Sequence, residues 1–212
     1  MDDCMKNRIK LICIYVILNA IVLCGCNGSL KNNDEKKEVD KKVNFYFDDV
    51  EYEAIDTNFN KEIVYKQPNI ECKNSKYINV YKSDTQILFI WLGEKADNYS
   101  SKDVLNKNAK EITKYICLYT NIENVDVNFK LDMVAQDRVN NISRNKYKGI
   151  IEGIGNNGVD IAFNTVIYTF VVNGKPGCVV GIITDKGNDI KRHREIDNNT
   201  QIIVNSMREY KE

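Results

Sequence analysis

Apolar positions fall into three regimes along the chain. From Leu11 to Leu23 they are almost continuous, from Asn27 to Lys42 only Leu30 and Val39 interrupt polar residues, and from Val43 onward they recur at short periods. Val43, Phe45 and Phe47 alternate with polar neighbours, and Val50, Tyr52 and Ala54 continue after a shift of phase, which predicts one or two early strands. Ile63 to Tyr65 is a short strand ahead of Pro68. Tyr77 to Tyr81 and Gln86 to Leu92 flank the polar link Lys82-Ser83-Asp84-Thr85, the pattern of a hairpin. Because the second run (QILFIWL) is apolar on both faces, its sheet is expected to be an internal layer covered above and below. Ser100 or Ser101 can cap a helix beginning near Lys102, with Asp103 in its first turn, and Leu105, Ala109, Ile112 and Ile116 mark its apolar face. Val125, Val127 and Phe129 alternate weakly, and residues 130–144 carry no readable period.

The last third is sharper. Tyr147 to Ile154, Val159 to Val172 and Cys178 to Thr184 are three strands separated by Gly155-Asn156-Asn157-Gly158 and by Asn173-Gly174-Lys175-Pro176-Gly177. Asn and Gly accept the positive φ of tight hairpin turns, so these strands are expected to form an antiparallel meander. Asp185-Lys186-Gly187-Asn188 ends the third of them, and a final helix is expected from about Glu195 to Tyr210 with Ile196, Ile203, Met207 and Tyr210 inward and Asn199, Gln201 and Arg208 outward. Strands, helix, strands, helix is the order of an α+β domain, an antiparallel sheet with helices packed on it, spanning residues 43–212 without internal repeats.

This arrangement resembles the PsbP-like fold, also found in small DcrB-like bacterial lipoproteins, through the middle helix around Ser101 to Leu118, the meander ending in Tyr168 to Asp185 and the closing helix ending in Ile202 to Lys211. The N-terminal strands lack the aromatic-Pro-x-x-Trp phrase usual in that group. The resemblance implies an accessory subunit or binding module and carries over no catalytic residue.

The N-terminal regime has a different logic. Lys6, Arg8 and Lys10 precede about 13 apolar residues, fewer than the roughly 20 needed for a permanent span, which is the form of an export signal. Leu23-Cys24-Gly25-Cys26 resembles the lipobox of bacterial lipoproteins, in which a small residue admits the peptidase and the next thiol takes a diacylglyceryl group. On that resemblance residues 1–26 are a lipoprotein signal peptide, Cys26 is the lipid attachment site, and the protein sits on the extracytoplasmic face of the cell membrane. A plain membrane anchor with incidental cysteines is the blander alternative. Residues 27–42 read as a solvated tether; about 16 flexible residues span roughly 20 to 24 Å.

Composition excludes more than it identifies. Among 212 residues, 30 Lys and Arg balance 30 Asp and Glu, and loss of residues 1–26 leaves the balance nearly intact, so no nucleic-acid partner driven by phosphate neutralisation is expected. A single histidine, His193, rules out multi-histidine metal sites, and the cations of Lys191-Arg192-His193-Arg194 oppose a charged imidazole there. Those four residues, placed just ahead of the last helix, suit either a phosphate group or plain solvent. Asp48, Asp49, Glu51 and Glu53 are dense in oxygen but match no calcium loop, and Asp185 to Asp189 lacks the closing Glu of an EF-hand. No G-x-S-x-G, Walker A or G-x-G-x-x-G occurs; Gly149, Gly153 and Gly155 belong to a strand and its turn. Cys72, Cys117 and Cys178 remain after export, an odd set better suited to small buried side chains than to a disulfide scaffold, with one bridge between two of them left open. Trp91, Tyr77, Tyr81, Tyr147 and Tyr168 suit either a ligand platform or core and cross-strand pairs.

The expectation is a lipid-anchored, non-catalytic binding or accessory module of the bacterial cell envelope. It has no cofactor or metal, and the membrane through Cys26 and an envelope protein are its partners. A hydrolase using carboxylates scattered in sequence, or a structural surface protein, are the alternatives.

Overall fold

The computed structural model describes residues 42–47, 50–55, 61–68, 70–74, 78–120, 122, 127–184 and 189–211, with side chains excepted at 42–55 and 74. Its elements in chain order are β1 (Lys42–Phe47), β2 (Val50–Ile55), β3 (Ile63–Val64), β4 (Glu71–Asn74), β5 (Ile78–Lys82), β6 (Gln86–Leu92), α1 (Val104–Thr120), β7 (Asn128–Val139), β8 (Ile142–Ile154), β9 (Asp160–Val172), β10 (Lys175–Ile183), α2 (Ile190–Ser206) and β11 (Arg208–Glu209). The class is α+β, as the element order predicts. Seven strands form one sheet in the order β4-β5-β6-β10-β9-β8-β7, with every neighbouring pair antiparallel.

Side chains alternate faces along a strand, and β6 uses both faces for core. Ile87, Phe89 and Trp91 join Val180 and Ile182 of β10 under Val104, Ile112 and Ile116 of α1. Leu88, Ile90 and Leu92 join Tyr168, Phe170 and Val179 under Ile196, Ile203 and Val204 of α2. All seven residues of β6 are buried, so the doubly apolar run does mark a sheet covered on both sides. Each fully buried side chain of this size contributes about 1.5 to 3 kcal/mol from area alone. Gly181 in β10 sits beneath α2, where an added Cβ would lie 2.7 Å from Thr200 Cγ2 and 2.8 Å from Ile196 Cγ1; the missing side chain sets how closely that helix approaches.

The turns follow their chemistry. Asn173 and Gly174 take φ of 50° and 76° between β9 and β10, and Gly158 takes 73° between β8 and β9. Asn140 and Asn141 do the same at 52° and 66°, closing a β7–β8 hairpin in the stretch where the sequence shows no period. The reason is visible in β7: none of its 12 residues is buried, and a register shift between Met133 and Ala135 breaks the alternation. The three-strand meander is therefore one of four strands.

Helix ends depart from expectation in both cases. α1 begins at Val104, not Lys102, and Asp103 lies ahead of it, accepting from the Ser100 N–H at 3.3 Å and its hydroxyl at 2.8 Å while Lys107 N–H donates to the Asp103 carbonyl at 2.9 Å. Ser101 is no cap: it is buried, its hydroxyl accepts from Asn145 Nδ2 at 2.9 Å and its carbonyl from Thr169 Oγ1 at 2.6 Å, fastening the helix start to the sheet. α2 begins at Ile190, five residues before the expected start, because the Asp189 carboxylate caps it by accepting from Lys191 N–H at 2.9 Å. It stops at Ser206: Met207 is extended and Arg208–Glu209 pair with β3, so Tyr210 lies beyond the helix. β1 and β2 pair from Lys42↔Ile55 to Phe47↔Val50 as a separate two-stranded sheet, which accounts for the shift of phase between them.

Candidate functional site

The residues singled out in the sequence do not converge. His193 falls inside the first turn of α2, correcting its expected place ahead of the helix, with Nδ1 3.0 Å from the Asp189 carbonyl oxygen. Trp91, Tyr81 and Tyr168 are core residues and Tyr147 is half-buried against the α1 face. None of Cys72, Cys117 and Cys178 is bridged, and burial pushes all three thiols up, away from the thiolate a nucleophile needs. Glu51 and Glu53 stand two positions apart in β2, opposite Tyr46 and Asn44 of β1. Gly149 and Gly153 lie in β8 and Gly155 in its turn. Cys26 and the rest of residues 1–41, Asp48, Asp49, Tyr77 and residues 185–188 lie outside the described residues. Among the described residues no group of three or more His, Cys, Asp or Glu is placed to hold a metal ion, and no helix is long and apolar enough to cross a membrane.

A concave site does form where no motif pointed, at the end of β6. Gly93 follows Leu92 because a Cβ there would lie 2.7 Å from the Trp91 ring, and its N–H donates to the Pro176 carbonyl at 2.8 Å. The chain then crosses to Tyr99 and enters α1, whose helical geometry breaks at Asn108 (φ −117°, ψ 15°). Asn108 Nδ2 donates to the Val104 carbonyl at 2.9 Å, and its Oδ1 accepts from the Tyr99 hydroxyl at 3.4 Å. One turn further, Glu111 accepts from the indole N–H of fully buried Trp91 at 3.3 Å. Between these parts lies a cleft of about 470 Å³, with Leu92, Pro176 and Tyr99 as its apolar wall and Asn108, Glu94, Lys95 and Glu111 as its polar groups. Beside it the Lys107 ammonium stands 4.8 Å from the centre of the Tyr99 ring. Its parts come from a strand end, a hairpin, a loop and a broken helix, so no local sequence pattern announces it.

The opposite face holds charge of another kind. Arg144, Lys146 and Lys148 of β8 point to the α2 side, opposite Phe170, Tyr168 and Val166 of β9. Lys146 and Lys148 converge on Asp197 of α2 at 2.5 and 2.6 Å, and Arg144 holds Asp137 through two parallel bonds. The Tyr168 ring centre is 5.7 Å from the Arg144 guanidinium and 5.2 Å from the Lys146 ammonium. Burial opposes ionisation of Asp197, yet the bonds from Lys146 and Lys148 outweigh it and hold the carboxyl below its ordinary range; Arg144 does the same for Asp137. Asn140 Nδ2 donates to the Met207 carbonyl at 2.9 Å, closing the end of α2. Lys146 and Lys148 with Asp197 bind α2 to β8, and Arg144 with Asp137 binds β8 to β7.

No protein-family model matches the sequence, and no curated protein matches it. Among solved structures, the chain superposes on the Ran-binding protein Mog1p of Saccharomyces cerevisiae with a TM-score of 0.42 and 11% identity, over 79% of this chain and 94% of that one. A mutant of protein Mog1 gives 0.41 and 12% over the same shares. No functional residue follows from likeness at this level.

Proposed function

We propose that this protein is a lipid-anchored extracytoplasmic binding or accessory module without catalysis of its own, held to the cell membrane through Cys26, with the cleft at Asn108 as its ligand site. The observation that carries the reading is the cleft itself, a concavity with an apolar wall and a few polar groups fixed by hydrogen bonds. A hydrolase of the carboxylate-pair kind would need one carboxyl kept protonated, and one of the Cys kind a thiol kept ionised. Asp103, Asp137 and Asp197 are instead held low by their partners, and the three thiols are pushed up. The resemblance of the sequence to PsbP-like and DcrB-like lipoprotein domains implies the same kind of role.

The anchor rests on the residues 6–26 pattern and is tested there. Cys26→Ala is expected to release the protein from the membrane fraction or to leave it as an unprocessed precursor. Normal processing with full membrane retention in that variant overturns the lipoprotein reading. Crosslinking the anchored protein in intact cells, followed by mass spectrometry, separates the two forms of the module. One stoichiometric envelope protein makes it an accessory subunit, and none shifts weight to a small ligand of the cleft or to an enzymatic role.

A further inference from the structure

We propose that the cleft at Asn108 takes an ammonium or guanidinium group carried on a short apolar stem; this deepens the binding reading above and rests on it. Two carboxylates, Glu94 and Glu111, line the cleft against one cation, Lys95. A Cβ on Gly174 would lie 3.3 Å from the Cε of Lys95 and 3.4 Å from its Cγ, so the lysine stem runs along the β9–β10 turn. Glu111 is fixed from behind by the buried Trp91 indole, a donor with no other task the structure shows. An anion entering here meets two carboxylates against the one ammonium of Lys95, a lining of net negative charge, and a neutral molecule gains only the apolar wall.

The wall itself favours a cation. The Tyr99 ring lines the cleft and already draws the Lys107 ammonium to 4.8 Å, the geometry of a cation on an aromatic face. Leu92 and Pro176 complete a surface for a few methylenes, and about 470 Å³ holds a small amine or a single Lys or Arg side chain of a peptide.

The test uses three probes with the same stem and different ends: pentylamine, pentan-1-ol and hexanoate. The reporter is the indole N–H of Trp91, the sole tryptophan of the chain, followed by NMR on the folded protein. Pentylamine is expected to move that resonance saturably, with pentanol and hexanoate at least about fivefold weaker. Glu111→Gln, which keeps an acceptor for the indole, is expected to weaken pentylamine by about fivefold while leaving thermal unfolding unchanged. An acetyl-Gly-Lys-Gly-amide probe binding more tightly than pentylamine identifies a peptide side chain as the source, and the reverse order a free amine. If pentanol or hexanoate binds as well as pentylamine, the ligand class is overturned while the cleft stands as a binding site. If no probe moves Trp91, both fall.

Discussion

β6 and β7 belong to the same sheet and share almost nothing else. β6 has seven residues, all buried, six of them large and apolar; β7 has 12, none buried, with charges at Lys130, Asp132, Asp137 and Arg138. The difference is cover. α1 and α2 both pack on β6, β9 and β10, while β7 lies at the sheet edge, two strands beyond β9. A strand under two helices is specified by burial, and a strand outside them mainly by pairing with its neighbour, with only Phe129 and Leu131 of β7 packed against the core. Its bulge at Met133 and Ala135 and its charges also keep so long an edge from recruiting other strands.

The sharpest way to break the comparison is to truncate one apolar side chain in each strand. Phe89 of β6 is fully buried and packs near Tyr119, ring centres 6.2 Å apart, whereas Met133 of β7 is half exposed. Phe89→Ala is expected to cost about 3 to 5 kcal/mol, and Met133→Ala about 0.5 kcal/mol or less, by urea unfolding. Comparable losses at both positions would mean that β7 is covered in solution.

Legibility in the sequence tracks the same cover. β6, β9, β10 and the part of β8 from Tyr147 are legible because burial on two faces, or Asn and Gly in their turns, leaves a periodic or compositional trace, while β8 itself starts five residues earlier, at Ile142. β7 is not, since its register shift breaks the alternation and its turn, Asn140-Asn141, lies in a stretch without a readable period. The start of α2 was hidden because Lys191, Arg192 and Arg194 oppose the helix dipole, and the Asp189 cap that offsets them stands in a polar stretch. The cleft was invisible for a different reason. It depends on one break in a helix, one glycine beside a tryptophan and a carboxylate a turn away, none of which repeats.

Between covered centre and open edge lies β8, and its junction with α2 is ionic. Removing the shared carboxylate in Asp197→Ala leaves Lys146, mostly buried, without its partner, at an expected loss of about 1 to 2 kcal/mol after allowance for the exposure of Lys148. The pH dependence carries the signature. A carboxyl whose folded pKa lies below its unfolded value contributes stability above the unfolded value, about 3.9 for Asp, and loses it as pH falls through the folded one. Asp197 and Asp137 are both of this kind, so the wild-type protein should lose stability below about pH 4, with a shallower fall in Asp197→Ala. An unchanged slope would show that the pair does not join α2 to β8.

The smallest effect belongs to the edge itself. Asn140 and Asn141 both sit at positive φ, and the second centre of such a turn favours Gly over Asn. Asn141→Gly relieves a side chain held at φ 66° but adds freedom to the unfolded chain, so a net gain of about 0.5 kcal/mol is the expected balance. Asn140 has to stay, because its amide closes α2 at Met207. The urea midpoint should rise with an unchanged slope, and a fall would mean that the Asn141 side chain holds the hairpin through more than its backbone. Because Phe129 and Leu131, the half-buried residues of β7 that pack on the α1-side core, lie on the near side of the bulge, the part of the strand beyond it depends on this turn and on pairing with β8, and a gain there would show that this part takes its register from the hairpin.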